Sequence, residues 1–395
     1  MMILPLRDVP ELGGSDPIDA RIGSVPALFA PARPRRQWFR ARLALGLSPT
    51  PVPGLVLLPL GIALGPHGIG VLSPIALSYL DPVIAIALTA LGTFIGLGLS
   101  AGTRRERRLL SAASLEALIT VVVVVAGLYA VRTMAWPEAP VSPWLPVLAL
   151  AICASASSTT SAPGHGRMAE LAARIGDLDD VLPVVLGGAL LARLHAATPQ
   201  LAASVFGQSI GLTLMVAVAG WLLVSAVASD SEQRVFALGA LLLIAGLAEY
   251  LALSALMGGF VAGVFWNVAA PRVRERIARD VRHVQHPLVV LLLILAGARV
   301  QASVAIAALS LAYVLFRVLG KVIAGWFAAR VAKLPRPSNL GVYLLSPGVI
   351  GVAFALNALR VWPDNAGTTL LSAVVFGSIA SELLSLVVHP REDNR

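Results

Sequence analysis

Residues 154–164 read ASASSTTSAPG and residues 344–351 read LLSPGVIG, and each run sits inside an otherwise apolar stretch long enough to cross a bilayer. Pro lacks a backbone donor and Gly weakens a helical ladder, so a helix meeting these runs leaves carbonyls and amides without partners. Lipid cannot satisfy them. Interrupted backbone at membrane depth is tolerated only where protein or enclosed water takes up the freed groups, which makes such runs markers of a site.

The chain around them has the composition this requires. Of its 395 residues, 57% are hydrophobic and 13% charged, and the mean hydropathy is +0.83, which excludes an ordinary assembly of soluble domains. A spanning helix needs about 20 apolar residues. Hydropathy and breakers predict twelve spans: 53–72, 81–100, 109–131, 146–163, 181–199, 205–228, 235–252, 254–270, 287–299, 304–329, 338–360 and 366–388. The predicted fold class is an all-α polytopic membrane protein. Cys153 is the single cysteine, so no intrachain disulfide and no Cys-cluster metal site can form.

The net charge of +9 would suit nucleic-acid binding, but the charges fall where topology needs them. With the amino terminus cytoplasmic, the tails and the even-numbered connections carry 24 of the 30 basic residues. These include Arg104, Arg105, Arg107 and Arg108, the run Arg272, Arg274, Arg276, Arg279 and Arg282, and Arg330, Lys333 and Arg336. Arg132, Arg299 and Arg360 fall on the opposite side, and Arg193, Arg317 and Lys321 lie within spans. This is the positive-inside asymmetry of a multi-pass cell-membrane protein with both termini cytoplasmic, and it removes the case for a nucleic-acid partner. Residues 1–52 form a basic, Pro-rich cytoplasmic tail without the apolar core and small-residue cleavage site of a signal peptide.

Spans 3 to 5 run out, in, out, whereas spans 10 to 12 run in, out, in, and each triple carries its interruption in the middle member. That is the arrangement of inverted repeats with two broken helices crossing at the membrane centre. The backbone expected to be exposed there belongs to Ser161, Pro163 and Gly164 in the first run and to Ser346, Pro347 and Gly348 in the second.

Five further segments, in order, carry a resemblance. LVLLPLGIALGPHGIGVLS (Leu55 to Ser73), ALTALGTFIGLGLS (Ala87 to Ser100), LAEYLALSALMGGFVAGVFW (Leu247 to Trp266), HPLVVLLLILAGARVQ (His286 to Gln301) and FRVLGKVIAGWFAARV (Phe316 to Val331) resemble segments of the cation/proton antiporter superfamily, which has the sodium/proton exchanger fold. The resemblance covers roughly residues 50 to 390. It implies a transmembrane domain over 53–390, with core spans over 109–199 and 304–388 and dimer-type spans over 53–100 and 235–299. It also implies a homodimer, and a core that moves to exchange a small monovalent cation, Na+ or K+, for protons. In the family an acidic residue or pair in the helix after the first break binds the ion. Such chemistry needs a desolvated carboxylate tuned by a neighbouring cation, so that metal ion and proton compete for one group.

The ion or proton path then has several candidates. Asp179 and Asp180 stand in DLDDVLPVV (Asp177 to Val185), a string matching the family's acidic site. The charged stretch before them, with His165, Arg167, Glu170, Arg174 and Asp177, places both at the cytoplasmic start of span 5, where carboxylates cap a helix and favour its dipole. Aligned instead through Pro163 and Gly176, the family's acidic position falls near Arg193, Leu194 and His195, and His195 becomes a proton carrier. Ser161-Ala162-Pro163 lacks the Asp that many members have in the first break, and Val349 and Ile350 replace a Glu in the second. Lys321 aligns with the family's core lysine and shares a helix face with Arg317, and Glu116 or Glu382 would pair with it.

His283 and His286 lack a third ligand nearby, so neither a metal nor a cofactor is expected. Gly61 with Gly65, and Gly259 with Gly263, give small-xxx-small faces for close helix packing. No phosphate loop, nucleophile elbow or HExxH motif marks an enzyme. The partners expected are the lipid bilayer, small ions and protons. Two other functions fit this fold: a membrane sensor or scaffold without transport, and a carrier of anions or organic acids using Arg193 and the amides freed at the breaks.

Overall fold

The computed structural model describes residues 53–99, 103–135, 144–158, 167–196, 198–226, 229–251, 253–269, 271–333, 340–362 and 365–388. The tail expected over residues 1–52 lies outside them, as do Ser161, Pro163 and Gly164. The described chain is helical, in the order α1 (Pro53–Leu64), α2 (Pro74–Tyr79), α3 (Asp81–Gly98), α4 (Arg104–Ala135), α5 (Trp144–Ser155), α6 (Arg167–Leu178), α7 (Val181–His195), α8 (Pro199–Ala226), α9 (Asp230–Tyr250), α10 (Ala255–Ala269), α11 (Pro271–Ala298), α12 (Val304–Val331), α13 (Leu340–Tyr343), α14 (Val349–Val361) and α15 (Asn365–Val388). Six of these, α3, α4, α8, α9, α12 and α15, contain stretches long and apolar enough to cross a membrane. Shorter apolar helices occupy the first, fourth, eighth, ninth and eleventh predicted spans, and α7 occupies the fifth. The molecule is an all-α, polytopic membrane protein.

Local sequence sets the helix ends. Thr103 and Glu106 form a capping box at the start of α4: the Glu106 amide donates to Thr103 Oγ1 and the Thr103 amide to Glu106 Oε2, each at 3.2 Å. Ser303 caps α12 by accepting from the Ile306 amide at 3.2 Å. The first span is shorter than expected, because Gly65-Pro66 disfavours a continuing helix and the chain turns through Gly70 at φ +78° before Ser73 caps α2.

Glycines set how closely the helices approach. A Cβ on Gly259 or Gly263 would collide with the carbonyls of Thr89 or Thr93, and one on Gly92 or Gly96 with those of Leu256 or Phe260. The four glycines therefore let α3 and α10 meet backbone to backbone, as the small-residue spacing predicts. Gly61 and Gly297 do the same between α1 and α11.

The largest departure from expectation concerns residues 167–178. Their charges argue against burial, yet α6 is amphipathic: Leu171, Ala172, Ile175 and Leu178 are buried against Leu109, Ala112 and Ala113 of α4 and against Leu340 and Leu344. Arg174, on its other face, pairs with Glu106 at 3.5 Å. An amphipathic helix keeps its charges on the more exposed side while its apolar side packs against α4 and α13, and it leads into the buried Asp179.

Candidate functional site

Two unwound stretches meet where α5 ends and α14 begins. Ser157 and Pro347 form an antiparallel bridge, the Ser158 amide donates to Ser346 O at 2.9 Å, and the Gly348 amide donates to Ala156 O at 3.3 Å. The second interruption lies where LLSPG predicts it, between α13 and α14. The first helix already ends at Ser155, so the pairing backbone is Ala156 to Ser158, ahead of the Pro163 expected to make the break. Glycine permits the crossing: a Cβ on Gly348 would sit 2.9 Å from Ser157 O.

These stretches leave carbonyls without helical partners, and two cations on one face of α12 take them up. Arg317 Nη1 donates to Ala154 O, and Nη2 donates to Ala156 O at 2.9 Å and to Ser346 O at 3.3 Å, spanning both stretches. One turn on, Lys321 Nζ donates to Ser155 O and to Ser157 Oγ. It also lies 3.0 Å from Glu116 Oε1, 3.1 Å from Glu116 Oε2 and 3.4 Å from Asp179 Oδ2. Glu116 Oε1 accepts from Thr120 Oγ1 at 3.3 Å, a bond between successive turns of α4.

Glu116, Asp179 and Lys321 are 0% exposed and Arg317 is 1% exposed. Two carboxylates and two cations thus share a region closed to solvent with no formal charge left over, the condition on which such a cluster can be buried at all. Its saturation is uneven. Lys321 has three N–H donors for five nearby acceptors, and Asp179 Oδ1 is buried without a hydrogen-bond partner. A carboxylate oxygen so placed can accept a proton or help coordinate a metal cation, and either event competes with the lysine for Asp179.

The sequence candidates separate clearly. Lys321, Glu116, Asp179, Ser346 and Pro347 come together, with Arg317. The helix-cap reading of the aspartates fails: Asp180 holds the N-cap position of α7 with no side-chain bond to the helix, and Asp179 turns inward to Lys321. The reason is α6, which carries both off the surface. Arg193 and His195 stand at the other end of α7. Arg193 Nη1 donates to Ala196 O and its guanidinium lies 6.0 Å from the centre of the Trp144 ring, while His195 is exposed with Nδ1 3.0 Å from Leu191 O. Glu382 is buried but does not reach Lys321; it lies against Gly54.

Ser155, Ser157 and Thr120 were not singled out by sequence. Thr120 is four residues after Glu116 and so legible as its neighbour on α4, whereas the two serines are indistinguishable, without coordinates, from others in ASASSTTS.

No protein-family model matches the sequence, nor does any curated protein. Solved structures do match. The chain is similar to the sodium proton antiporter of Methanocaldococcus jannaschii at pH 8, with a TM-score of 0.61 and 14% identity over 89% of this chain and 95% of that one. An electron-microscopy structure of the same antiporter gives a TM-score of 0.60 and 15% identity over 90% and 92%. At such identity the likeness concerns the path of the backbone. The chain therefore has the cation/proton antiporter fold.

Proposed function

We propose that the protein is a secondary active transporter of the cell membrane that exchanges a monovalent cation, Na+ or K+, for protons, with Asp179 as the group for which they compete. The observation that carries this is the buried, unsatisfied Oδ1 of Asp179 beside the crossing of two unwound segments, within reach of an ammonium that can release it. A proton on Asp179 weakens its pairing with Lys321 and leaves the ammonium to Glu116. A cation entering at Asp179 displaces that proton, with Ser157 Oγ and carbonyls of the crossing available as further oxygen ligands. The cluster has no room for both charges, which is the condition for obligatory exchange.

Alternating access on this reading moves the core helices α4 to α7 and α12 to α15 against α1, α3 and α9 to α11, which also form a homodimer, both termini facing the cytoplasm. Carriage of an organic anion has weaker support. The amides freed at the crossing are partly paired across it, the cations there face carbonyls and carboxylates, and Arg193 stands elsewhere.

Purified protein in proteoliposomes with an internal pH dye, challenged with Na+, K+ or Li+, should show cation-evoked proton flux that Asp179→Asn abolishes while the protein keeps its melting transition. Absence of flux with every cation would leave the cluster as a structural brace and the chain as a sensor or scaffold.

A further inference from the structure

The helix that starts at the crossing ends on a second set of polar contacts. α14 finishes at Val361, and its last turns meet the junction where α9 ends at Tyr250 and α10 starts at Ala255. Asn357 Nδ2 donates to Ser254 Oγ at 2.9 Å with both side chains buried, and the Met257 amide donates to the same hydroxyl at 3.2 Å. Three residues further along, on the same face of α14, Arg360 Nη2 pairs with Glu249 Oε2. Asp81, at the start of α3, also attracts Arg360, and it is held in place by Arg299, whose Nη2 donates to Asp81 Oδ1 and to Leu77 O, each at 2.6 Å.

Arg299 and Arg360 are two of the three basic residues that the charge pattern puts on the side away from the arginine-rich connections. Their pairs join different things. Arg299 and Asp81 both belong with the helices around α1, whereas Arg360 and Asn357 belong to the core and Glu249 and Ser254 to the helices it moves against. Between the crossing and this joint Val352, Phe354 and Leu356 are buried, which leaves no opening along that length of α14. The small cavity beside the crossing, about 30 Å³, lies instead against Gly54 and Leu58 at the start of α1. Contacts whose halves ride on two bodies that move past each other can persist in only one of the two facings. The Glu249 side chain is 42% exposed, so the ion pair is weak enough to break on every turnover, and the buried hydrogen bond beside it supplies the fit.

We propose that Arg360 and Asn357 of α14, with Glu249 and Ser254 at the α9–α10 junction, form a latch that holds this end of the transporter closed and opens once in each exchange cycle. This rests on the exchange reading above. The four are positioning residues: they touch neither the cation nor the proton, and they act through α14, whose other end carries the unwound Ser346 to Gly348 past the Asp179 cluster.

The test fastens the joint. Arg360→Cys with Glu249→Cys, reconstituted in proteoliposomes and bridged by a short bifunctional thiosulfonate, should lose its cation-evoked proton flux, and dithiothreitol should restore it. Asp81→Cys with Arg299→Cys, bridged in the same way within helices that stay together, should keep its flux, as should treated wild type, whose single Cys153 is buried. Full flux through a latch pair whose bridge is confirmed by intact mass overturns the latch, and so does loss of flux in the control pair. Should the latch pair fail to fold, to bridge or to transport before bridging, Glu249→Lys decides. Repulsion across the joint depopulates the closed facing, so the apparent KM for the cation should rise at the face where α4 begins and fall at the opposite face, each by roughly threefold to tenfold. A lower melting temperature with KM unchanged at both faces makes the contact a static brace and overturns the inference. Flux in wild type and in the bridged latch pair alike sinks this inference alone, whereas a wild type without flux sinks the exchange reading and the latch with it.

Discussion

Lys321 is the residue on which the interior charge balance turns, since it touches Glu116, Asp179 and the first unwound stretch. Lys321→Met should leave Glu116 and Asp179 buried without their cation and destabilise the protein by about 3–5 kcal/mol, seen as a lower melting temperature in detergent. Adding Glu116→Gln should recover part of that loss, because the double change removes one of the two stranded charges; an additive double mutant would show that the pair is not coupled. On the exchange reading, proton and cation compete for Asp179. A protonated carboxyl cannot hold a metal cation, so as pH falls the apparent KM for the cation should climb, approaching roughly tenfold per pH unit in the acid limb, while the rate at saturating cation changes less. A KM independent of pH would mean that proton and cation do not share the group.

At the scale of elements, the two interruptions are held by each other's backbone and by a neighbouring helix. Arg317 on α12 binds carbonyls from both stretches, so Arg317→Ala should strip the guanidinium from three carbonyls at once and leave Ala156 O and Ser346 O only their bonds across the crossing. Hydrogen exchange should then accelerate at residues 154–158 and 344–348, and stability should fall by about 1–3 kcal/mol; unchanged exchange there would make the guanidinium a bystander. The α3 and α10 pair is a different kind of joint. Its contact is backbone against backbone, with Gly259 facing Thr89 O, so Gly259→Leu must push the helices apart. A loss of about 1–3 kcal/mol is expected for such overpacking, read as a melting shift, whereas Gly239, with nothing within 4 Å of a Cβ, should accept Ala with little effect.

At the scale of the whole molecule, the exposed apolar faces of α8, α9 and α12, with Met215, Leu222, Leu242, Leu243, Leu311 and Leu315, are what a bilayer or a second copy covers. The homodimer reading predicts a mass of two chains by native mass spectrometry from nanodiscs. A single-chain mass, with transport intact, would confine alternating access to one copy and remove the dimer from the mechanism.

Much of this was legible in the residues. Span positions follow from hydropathy, because lipid admits few alternatives to a satisfied helix, and LLSPG marks the second interruption because Pro347 and Gly348 act on their own backbone. The i, i+4 spacing of Arg317 and Lys321 places both on one face of α12 by helix geometry alone. What sequence left open was every relation across the chain. Glu116 and Glu382 are equivalent partners for Lys321 until packing brings one to 3.0 Å and turns the other to α1. Asp179 reads as a surface cap because the charges before it look solvated; only the packing of α6 shows that one side of that helix is apolar and inward, carrying the aspartate to the centre of the bundle. Hydropathy and breakers are properties of neighbouring residues, whereas the pairing of buried charges is decided by which helices the folded bundle sets side by side.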